Sequence, residues 1–132
     1  MELTKYSRNR FYDSMVHWHL RSRDTIDPVF NYLVYGFEPG SFFTSVFAND
    51  FMMAMQRSHP ANSVEELKYL SGWIINSCPR EAWGSYDKVR AWCRLDEKQR
   101  RQILEDCDLV FTEQKEIMLA LQNIPAPEPM FF

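Results

Sequence analysis

Apolar residues recur at helical spacing along most of the chain, and this pattern predicts an all-α bundle of about five helices. The first predicted helix begins at Asp27 and Pro28, because aspartate caps helices and proline suits a first helical turn. It ends at Gly36, since glycine accommodates the left-handed conformation that closes many helices.

The second predicted helix covers residues 41–54, with Ser41 as its cap. Its surface is apolar on nearly all sides, so we expect it to occupy the centre of the bundle. The polar pair Asn49 and Asp50 interrupts this surface, and burying a carboxylate alone costs on the order of several kcal/mol. We therefore expect a structural role for the pair, with Asp50 accepting backbone N–H groups near the helix start at Ser85.

Three further helices are predicted from their caps and stops. The third opens with a capping box at Ser63 and ends before Pro79. The fourth begins with Ser85 as a structural cap. The last opens near Asp96 and covers residues 96–122, where apolar residues recur at steps of three and four.

Both ends of the chain are predicted to lie outside the bundle. Apolar and polar residues alternate over residues 16–21, as in a strand, so we expect residues 1–25 to be extended or irregular. Prolines alternate with other residues near the C-terminal end, which opposes a helix and favours a polyproline conformation. The sequence thus predicts one domain over residues 1–122 and a flexible tail over residues 123–132.

Charge, cysteine content and the lack of long apolar runs argue against several protein classes. The net charge of −3, from 15 basic and 18 acidic residues, is far from the strongly basic balance of many nucleic-acid-binding proteins. The three cysteines form no C-x-x-C pair, which argues against a disulfide framework and a structural zinc site. No apolar run approaches the roughly 18 residues of a membrane span, and no signal core is present. We expect a cytoplasmic protein without contact to a membrane.

Motifs of catalysis and cofactor binding are missing from the sequence. It contains no phosphate-binding glycine loop, no H-E-x-x-H and no G-x-S-x-G. His17 and His19 would share one side of a strand, but no third metal ligand accompanies them. We therefore expect no catalytic residue, no metal and no cofactor. A small enzyme with a site near Asp50 is the lesser alternative.

A pattern within residues 27–93 combines turn, cap and aromatic residues. It consists of Gly36-Phe37-Glu38-Pro39-Gly40-Ser41-Phe42-Phe43, then Asn49-Asp50-Phe51, then Gly84-Ser85 with Val89 and Trp92. This pattern resembles small helical proteins of tailed bacteriophages and prophages. The resemblance implies a bacterial host cell as the setting and brings no activity with it.

Aromatic residues make up 15% of the chain, and arginines accompany them near the N-terminus. This combination is typical of interface hot spots. The predicted partner-binding residues are Arg10, Phe11, Tyr12, Trp18, Arg21, Phe131 and Phe132. We expect a non-enzymatic phage or prophage accessory protein that binds and modulates a host or phage protein, for example as an inhibitor of defence or regulation. A chain starting at Thr25 should then fold but lose its partner.

Nucleic-acid binding is the alternative function. Residues 88–101 contain six basic residues and two acidic ones, with an aromatic side chain among them. Residues 105–116 are acidic in turn, and such opposite blocks are typical of salt-bridged helix surfaces. The basic residues are Lys88, Arg90, Arg94, Lys98, Arg100 and Arg101, and the aromatic residue is Trp92.

Overall fold

The computed structural model describes residues 3–58 and 64–111 together with Ile117, Met118 and Leu121, and all regular elements in this part of the chain are helical. The all-α prediction is confirmed, but five helices is too low a number. None of these helices combines the length and apolarity that crossing a membrane requires. The helices are α1 Lys5–His17, α2 Arg23–Tyr35, α3 Gly40–Phe47, α4 Phe51–Arg57, α5 Val64–Ser77, α6 Tyr86–Arg94 and α7 Glu97–Asp106, with a 3-10 turn at Arg80–Ala82.

Helix α1 replaces the extended segment that the sequence predicted. Phe11, Met15 and Val16 are buried on its inner side, at the spacing of neighbouring helical turns. The strand-like alternation over residues 16–21 crosses the end of this helix and the turn after it. Trp18 is the C-cap, and His19 has a φ of 65°. The alternation therefore reflects a helix end, so the expected strand with His17 and His19 on one side is wrong.

Helix α2 lies at the centre of the molecule, where it packs against α1, α3, α6 and α7. It begins at Arg23, earlier than predicted, because the Ser22 hydroxyl caps it by accepting the N–H of Asp24 at 3.2 Å. Pro28 consequently lies inside the helix rather than at its start. Burial is distributed almost around the whole helix, as expected for a central element. The buried residues of α2 are Thr25, Ile26, Val29, Phe30, Tyr32, Leu33 and Val34.

Side chains from α6 and α7 cover the C-terminal end of α2. A helix leaves its last four carbonyl groups without intrahelical donors. The indole Nε1 of Trp92 is 3.1 Å from the carbonyl oxygen of Tyr32 and 3.2 Å from that of Leu33. Trp92 is fully buried, so this contact joins α6 to the core.

Arg100 of α7 binds the carbonyl groups that remain at this end. Its guanidinium donates to the carbonyl oxygens of Val34 at 3.2 Å and Tyr35 at 3.1 Å, and also to that of Leu95. The side chain is only 6% exposed. Arg100 thus compensates its buried charge with partial negative charges at a helix C-terminus.

The predicted helix over residues 41–54 is two helices, and its expected central position is wrong. The chain turns between α3 and α4 at Asn49, whose φ of 61° suits a residue type that tolerates the left-handed region. Asp50 then caps α4 by accepting the N–H of Met53 at 3.4 Å. Helix α3 begins at Gly40 after Pro39, so Ser41 is not its cap. The polar pair therefore forms a helix break rather than a buried stripe.

The boundaries of α5 and α6 agree with the sequence prediction where the structure describes them. Helix α5 ends at Ser77, before Pro79. The Ser85 hydroxyl caps α6 by accepting the N–H of Lys88 at 3.2 Å. The predicted cap Ser63 lies outside the described residues.

The last predicted helix begins as expected but ends early. Asp96 and Gln99 form a capping box, whereas α7 ends at Asp106 instead of continuing toward residue 122. The next residues leave the helical path because Leu109, Val110 and Phe111 are all buried, and successive residues of a helix point about 100° apart. Ile117, Met118 and Leu121 are helical and exposed. The tail 123–132 lies outside the described residues.

Candidate functional site

Helix α4 exposes several large apolar side chains. Phe51 is 60% exposed, Met52 77%, and Met53 and Met55 37% each, whereas Ala54 faces inward. Phe51, Met52 and Met55 fall within about 100° of the helix circumference, so they form one face. We call Phe51, Met52 and Met55 the Phe–Met surface. Clustered apolar exposure of this kind marks interaction sites on soluble proteins.

Polar contacts hold the N-terminal end of α4. The Asp50 carboxylate accepts the Tyr86 hydroxyl at 2.6 Å, in addition to the Met53 N–H. Close to this contact, the N–H of Gly84 donates to the carbonyl oxygen of Phe47 at 2.7 Å. The start of α6 therefore supports the turn between α3 and α4. Asp50 accepts a backbone N–H from its own helix α4, and α6 contributes the Tyr86 hydroxyl instead of the backbone N–H groups expected near Ser85.

A second set of polar contacts holds the C-terminal end of α4. Nη1 of Arg57 donates to the Ser45 hydroxyl at 2.7 Å and approaches the carbonyl oxygen of Ser41 at 3.4 Å. Ser45 is fully buried, so the arginine is fixed to the inner part of α3. With both ends held, α4 presents its apolar face in one orientation. Because the backbone of α4 is already held, binding orders mainly its side chains, which lowers the conformational entropy cost.

The aromatic residues predicted near the N-terminus belong mainly to the core. Phe11 is fully buried, with ring centroids 5.1 Å from Phe30 and 5.7 Å from Trp73. Tyr12 is 8% exposed. Trp18 is half-buried and lies against α5 at Gly72. In this structure Phe11 and Tyr12 therefore pack inward, and Trp18 covers one end of the bundle.

The arginines predicted to bind a partner occupy two different environments. Arg10 forms an ion pair with Asp108, donates to its carbonyl oxygen at 2.9 Å and lies 5.3 Å from the Phe111 ring centroid. It thereby joins α1 to the turn after α7. Arg21 is exposed in the loop between α1 and α2. Phe131 and Phe132 lie outside the described residues.

The basic residues of the stretch 88–101 differ in exposure and in their contacts. Lys88, Arg90, Arg94 and Lys98 are exposed, Arg100 is buried and Arg101 is half-buried. Four of the six side chains bind groups of the same chain. Trp92 is buried, so it is not accessible to a nucleic acid. The four contacts are Lys88 to the Arg80 carbonyl, Arg90 to Asp87, Arg100 to the α2 carbonyls and Arg101 to the Phe111 carbonyl.

Burial determines the ionisation of the three thiols. Burial raises the pKa of Cys78 well above its ordinary value, and burial is also the main cause of the raised pKa values of Cys93 and Cys107. The reactive thiolate form is therefore disfavoured at all three positions. In residues 3–58 and 64–111, no group of three or more His, Cys, Asp or Glu side chains is placed to hold a metal.

Helix α4 is thus a helix with both ends held that exposes several large apolar side chains. Phe and Met side chains can adapt to an apolar surface on another protein, because methionine is unbranched and polarizable. Comparisons of the chain with protein-family models, with curated proteins and with solved structures found no match.

Proposed function

We propose that this chain is a non-enzymatic protein that binds another protein through the Phe–Met surface. The observation that carries the proposal is the exposure of Phe51, Met52 and Met55 on a helix whose two ends are held by polar contacts. Fully burying an exposed side chain of this kind contributes roughly 1.5–3 kcal/mol, and each of these three, already partly covered, can contribute a fraction of that. The surface therefore suits a partner that offers an apolar groove or helix face.

The setting of this function is a bacterial cell that carries a phage or prophage. The resemblance of the run from Gly36 to Phe43, and of the segments at Asn49 and Gly84, to small phage proteins supports this setting. In that role the protein is an accessory factor that covers a functional surface of a host or phage protein. Inhibition of a defence or regulatory protein is the form of modulation we expect.

The proposal is tested by comparing protein capture between two surface variants. The first variant carries Phe51→Ser and Met52→Ser. The control carries Ile75→Ser, because Ile75 of α5 is 66% exposed and lies outside the Phe–Met surface. The tagged full chain and both variants are incubated with bacterial lysate, and bound proteins are quantified by mass spectrometry. Thermal unfolding verifies that all three chains are folded.

We expect one protein to bind the unchanged chain and the Ile75 variant at a fixed stoichiometry, and to be lost from the Phe51/Met52 variant. Equal capture by all three chains would exclude the Phe–Met surface as the binding site. Self-association is measured separately by sedimentation. If sedimentation shows a dimer that is lost in the Phe51/Met52 variant, the partner that binds the Phe–Met surface is a second copy of the chain rather than a different protein.

A further inference from the structure

Helix α4 is attached to the rest of the molecule by little buried apolar surface. Of its seven residues only Ala54 is buried, whereas α2 buries seven of its thirteen residues. Met53 and Met55 are each 37% exposed, so they are covered only in part. Apolar burial stabilises an element roughly in proportion to the area that it removes from water. Packing therefore holds α4 less firmly than it holds the central helix α2.

Two hydrogen bonds of charged side chains supplement this packing, one at each end of α4. At the N-terminal end, the Tyr86 hydroxyl donates to Oδ2 of Asp50 at 2.6 Å, and Asp50 is the residue that caps α4. At the C-terminal end, Nη1 of Arg57 donates to the hydroxyl of Ser45 at 2.7 Å. A hydrogen bond to a charged group is roughly twice as strong as one between neutral groups. We call these two hydrogen bonds the end contacts of α4.

The length of α4 determines how the helix responds when an end contact breaks. Its seven residues form about two turns, and isolated helices shorter than about 12–15 residues are marginal in water. Once it is released at one end, α4 therefore has little helical stability of its own. We expect residues 51–57 to open together, whereas a longer helix would fray only at the released end.

We propose that α4 opens and closes as one unit, and that the end contacts of Tyr86 and Arg57 set the fraction of molecules with a formed Phe–Met surface. Phe51, Met52 and Met55 share one face only while α4 is helical. The apparent affinity for a partner falls with the fraction of molecules in the binding conformation. Tyr86 and Arg57 are thus positioning residues for this surface. The inference rests on the proposed function and names the contacts that control the same site.

Amide hydrogen exchange of the full chain, followed by NMR at single residues, measures this opening without any partner. The exchange of amides in one unit reports the free energy of opening that unit. Residues 53–57 report the opening of α4, and the buried Val29 and Leu33 of α2 report the unfolding of the core. All rates are compared with those of unstructured peptides of the same sequence, so that they report structure only.

Two variants each remove one end contact. Tyr86→Phe removes only the hydroxyl oxygen, and its matched control is Tyr69→Phe. The Tyr69 hydroxyl also donates to a carboxylate, that of Glu65 at 2.7 Å, but this contact lies within α5 and stays formed when α4 opens. Arg57→Gln removes the guanidinium at the other end, and its control is Arg94→Gln at an exposed position of α6. Thermal unfolding verifies that all four variants are folded.

In the unchanged chain, we expect residues 53–57 to share one opening free energy and to exchange at least tenfold faster than the buried amides of α2. Tyr86→Phe and Arg57→Gln should each raise exchange at least fivefold over the whole range 53–57. Both controls should leave it unchanged within twofold. Equal protection of α4 and α2, no increase in either variant, or an increase confined to the end that was changed would overturn the inference.

A proline in α4 separates this inference from the proposed function. Gln56→Pro opposes the helix, because proline removes a backbone donor and clashes with the preceding turn. It leaves Phe51, Met52 and Met55 unchanged. Gln56 is exposed, and Gln56→Ala is the matched control. In the lysate experiment, Gln56→Pro should lower capture of the partner at least fivefold, and Gln56→Ala should not lower it.

The outcomes of the two experiments are distinguishable. If Gln56→Pro captures the partner fully while the Phe51/Met52 variant does not, only this inference is wrong. If capture does not depend on Phe51 and Met52, the Phe–Met surface is wrong as the partner site. Hydrogen exchange then still decides whether α4 opens as one unit, because it requires no partner.

Discussion

Gly36 and Arg100 pack so closely that no side chain fits between them. A Cβ built on Gly36 would lie 2.7 Å from Nη1 and 2.8 Å from Cζ of Arg100. Gly36 also ends α2 with a φ of 72° in the left-handed region. The missing side chain thus allows the turn and leaves space for the guanidinium that binds the end of α2.

Replacing Gly36 by alanine should destabilise the protein more than the same change at Gly40. Both glycines have a positive φ, so alanine at either position costs about 1–2 kcal/mol in backbone strain. Only at Gly36 must Arg100 also move, because nothing lies within 4 Å of a Cβ built on Gly40. Urea unfolding should therefore give the larger loss for Gly36→Ala, and equal losses would show that the Arg100 contact adds nothing.

Arg100→Lys should destabilise the protein by about 2–4 kcal/mol. Lysine keeps the charge, but its single ammonium cannot reproduce the planar set of donors that binds Val34, Tyr35 and Leu95. Arg94→Lys is the matched control, since Arg94 is exposed on the neighbouring helix α6. Denaturant unfolding measures both variants. A loss below 0.5 kcal/mol for Arg100→Lys, roughly what an exposed substitution causes, would contradict this structural role.

The sequence predicted the helix boundaries that depend on neighbouring residues. Ser85 and Asp96 cap the helices that follow them, and Pro79 stands after the end of α5. Capping side chains bind N–H groups two or three residues away, so their effect is visible in a short window of sequence. Asn49 and Asp50 are also residue types that favour helix ends and caps. The apolar residues on both sides of this pair, however, favoured the prediction of one continuous helix.

Distant contacts explain the boundaries that the sequence did not predict. The chain leaves its helical path after α7, where the Ser7 hydroxyl binds the N–H of Phe111 at 3.0 Å and its carbonyl oxygen at 3.2 Å. These residues are 104 positions apart. No local pattern reports such a contact, because only the folded chain brings the two segments together.

The sequence predicted the kind of candidate site, an aromatic interaction surface, but not which residues form it. The high aromatic content indicated an interaction surface, but it did not distinguish an exposed phenylalanine from a buried one. Phe11 and Phe51 illustrate the problem, since the first is fully buried and the second is 60% exposed. Phe11 is buried because α1 packs into the core, whereas Phe51 is exposed because it lies on the short, capped helix α4. Only the structure therefore distinguishes the two residues.

A chain that starts at Thr25 should fail to fold cooperatively, contrary to the expectation from sequence alone. It would lack Phe11, Met15 and Leu20, each fully buried. Each contributes roughly 1.5–3 kcal/mol by burial, so their sum is comparable to the total stability of about 5–15 kcal/mol of a small domain. Circular dichroism during heating should show a broad, non-cooperative transition. A sharp transition in the truncated chain would show that α1 is dispensable for the core.

Stability should fall as the pH rises above the ordinary pKa of a thiol, and Cys78 should account for part of the loss. Burial raises the pKa of Cys78 well above its usual value, so the folded protein keeps the neutral thiol. In the unfolded chain this thiol ionises near pH 8.5–9. The stabilisation is complete below that pH. It decreases above it until the folded thiol itself ionises, by at most about 1.4 kcal/mol per pH unit.

Urea unfolding from pH 7 to pH 10 measures this dependence in the unchanged chain and in Cys78→Ala. The variant should be less stable at pH 7, because alanine leaves a small cavity, but its stability should fall less steeply above pH 9. Cys93→Ala is the control, since Cys93 is only half-buried and its substitution should change the slope less. If stability falls equally steeply with pH in Cys78→Ala and in the unchanged chain, the Cys78 thiol ionises at the same pH in the folded and the unfolded protein. The buried position between α5 and the 3-10 turn would then have to admit water.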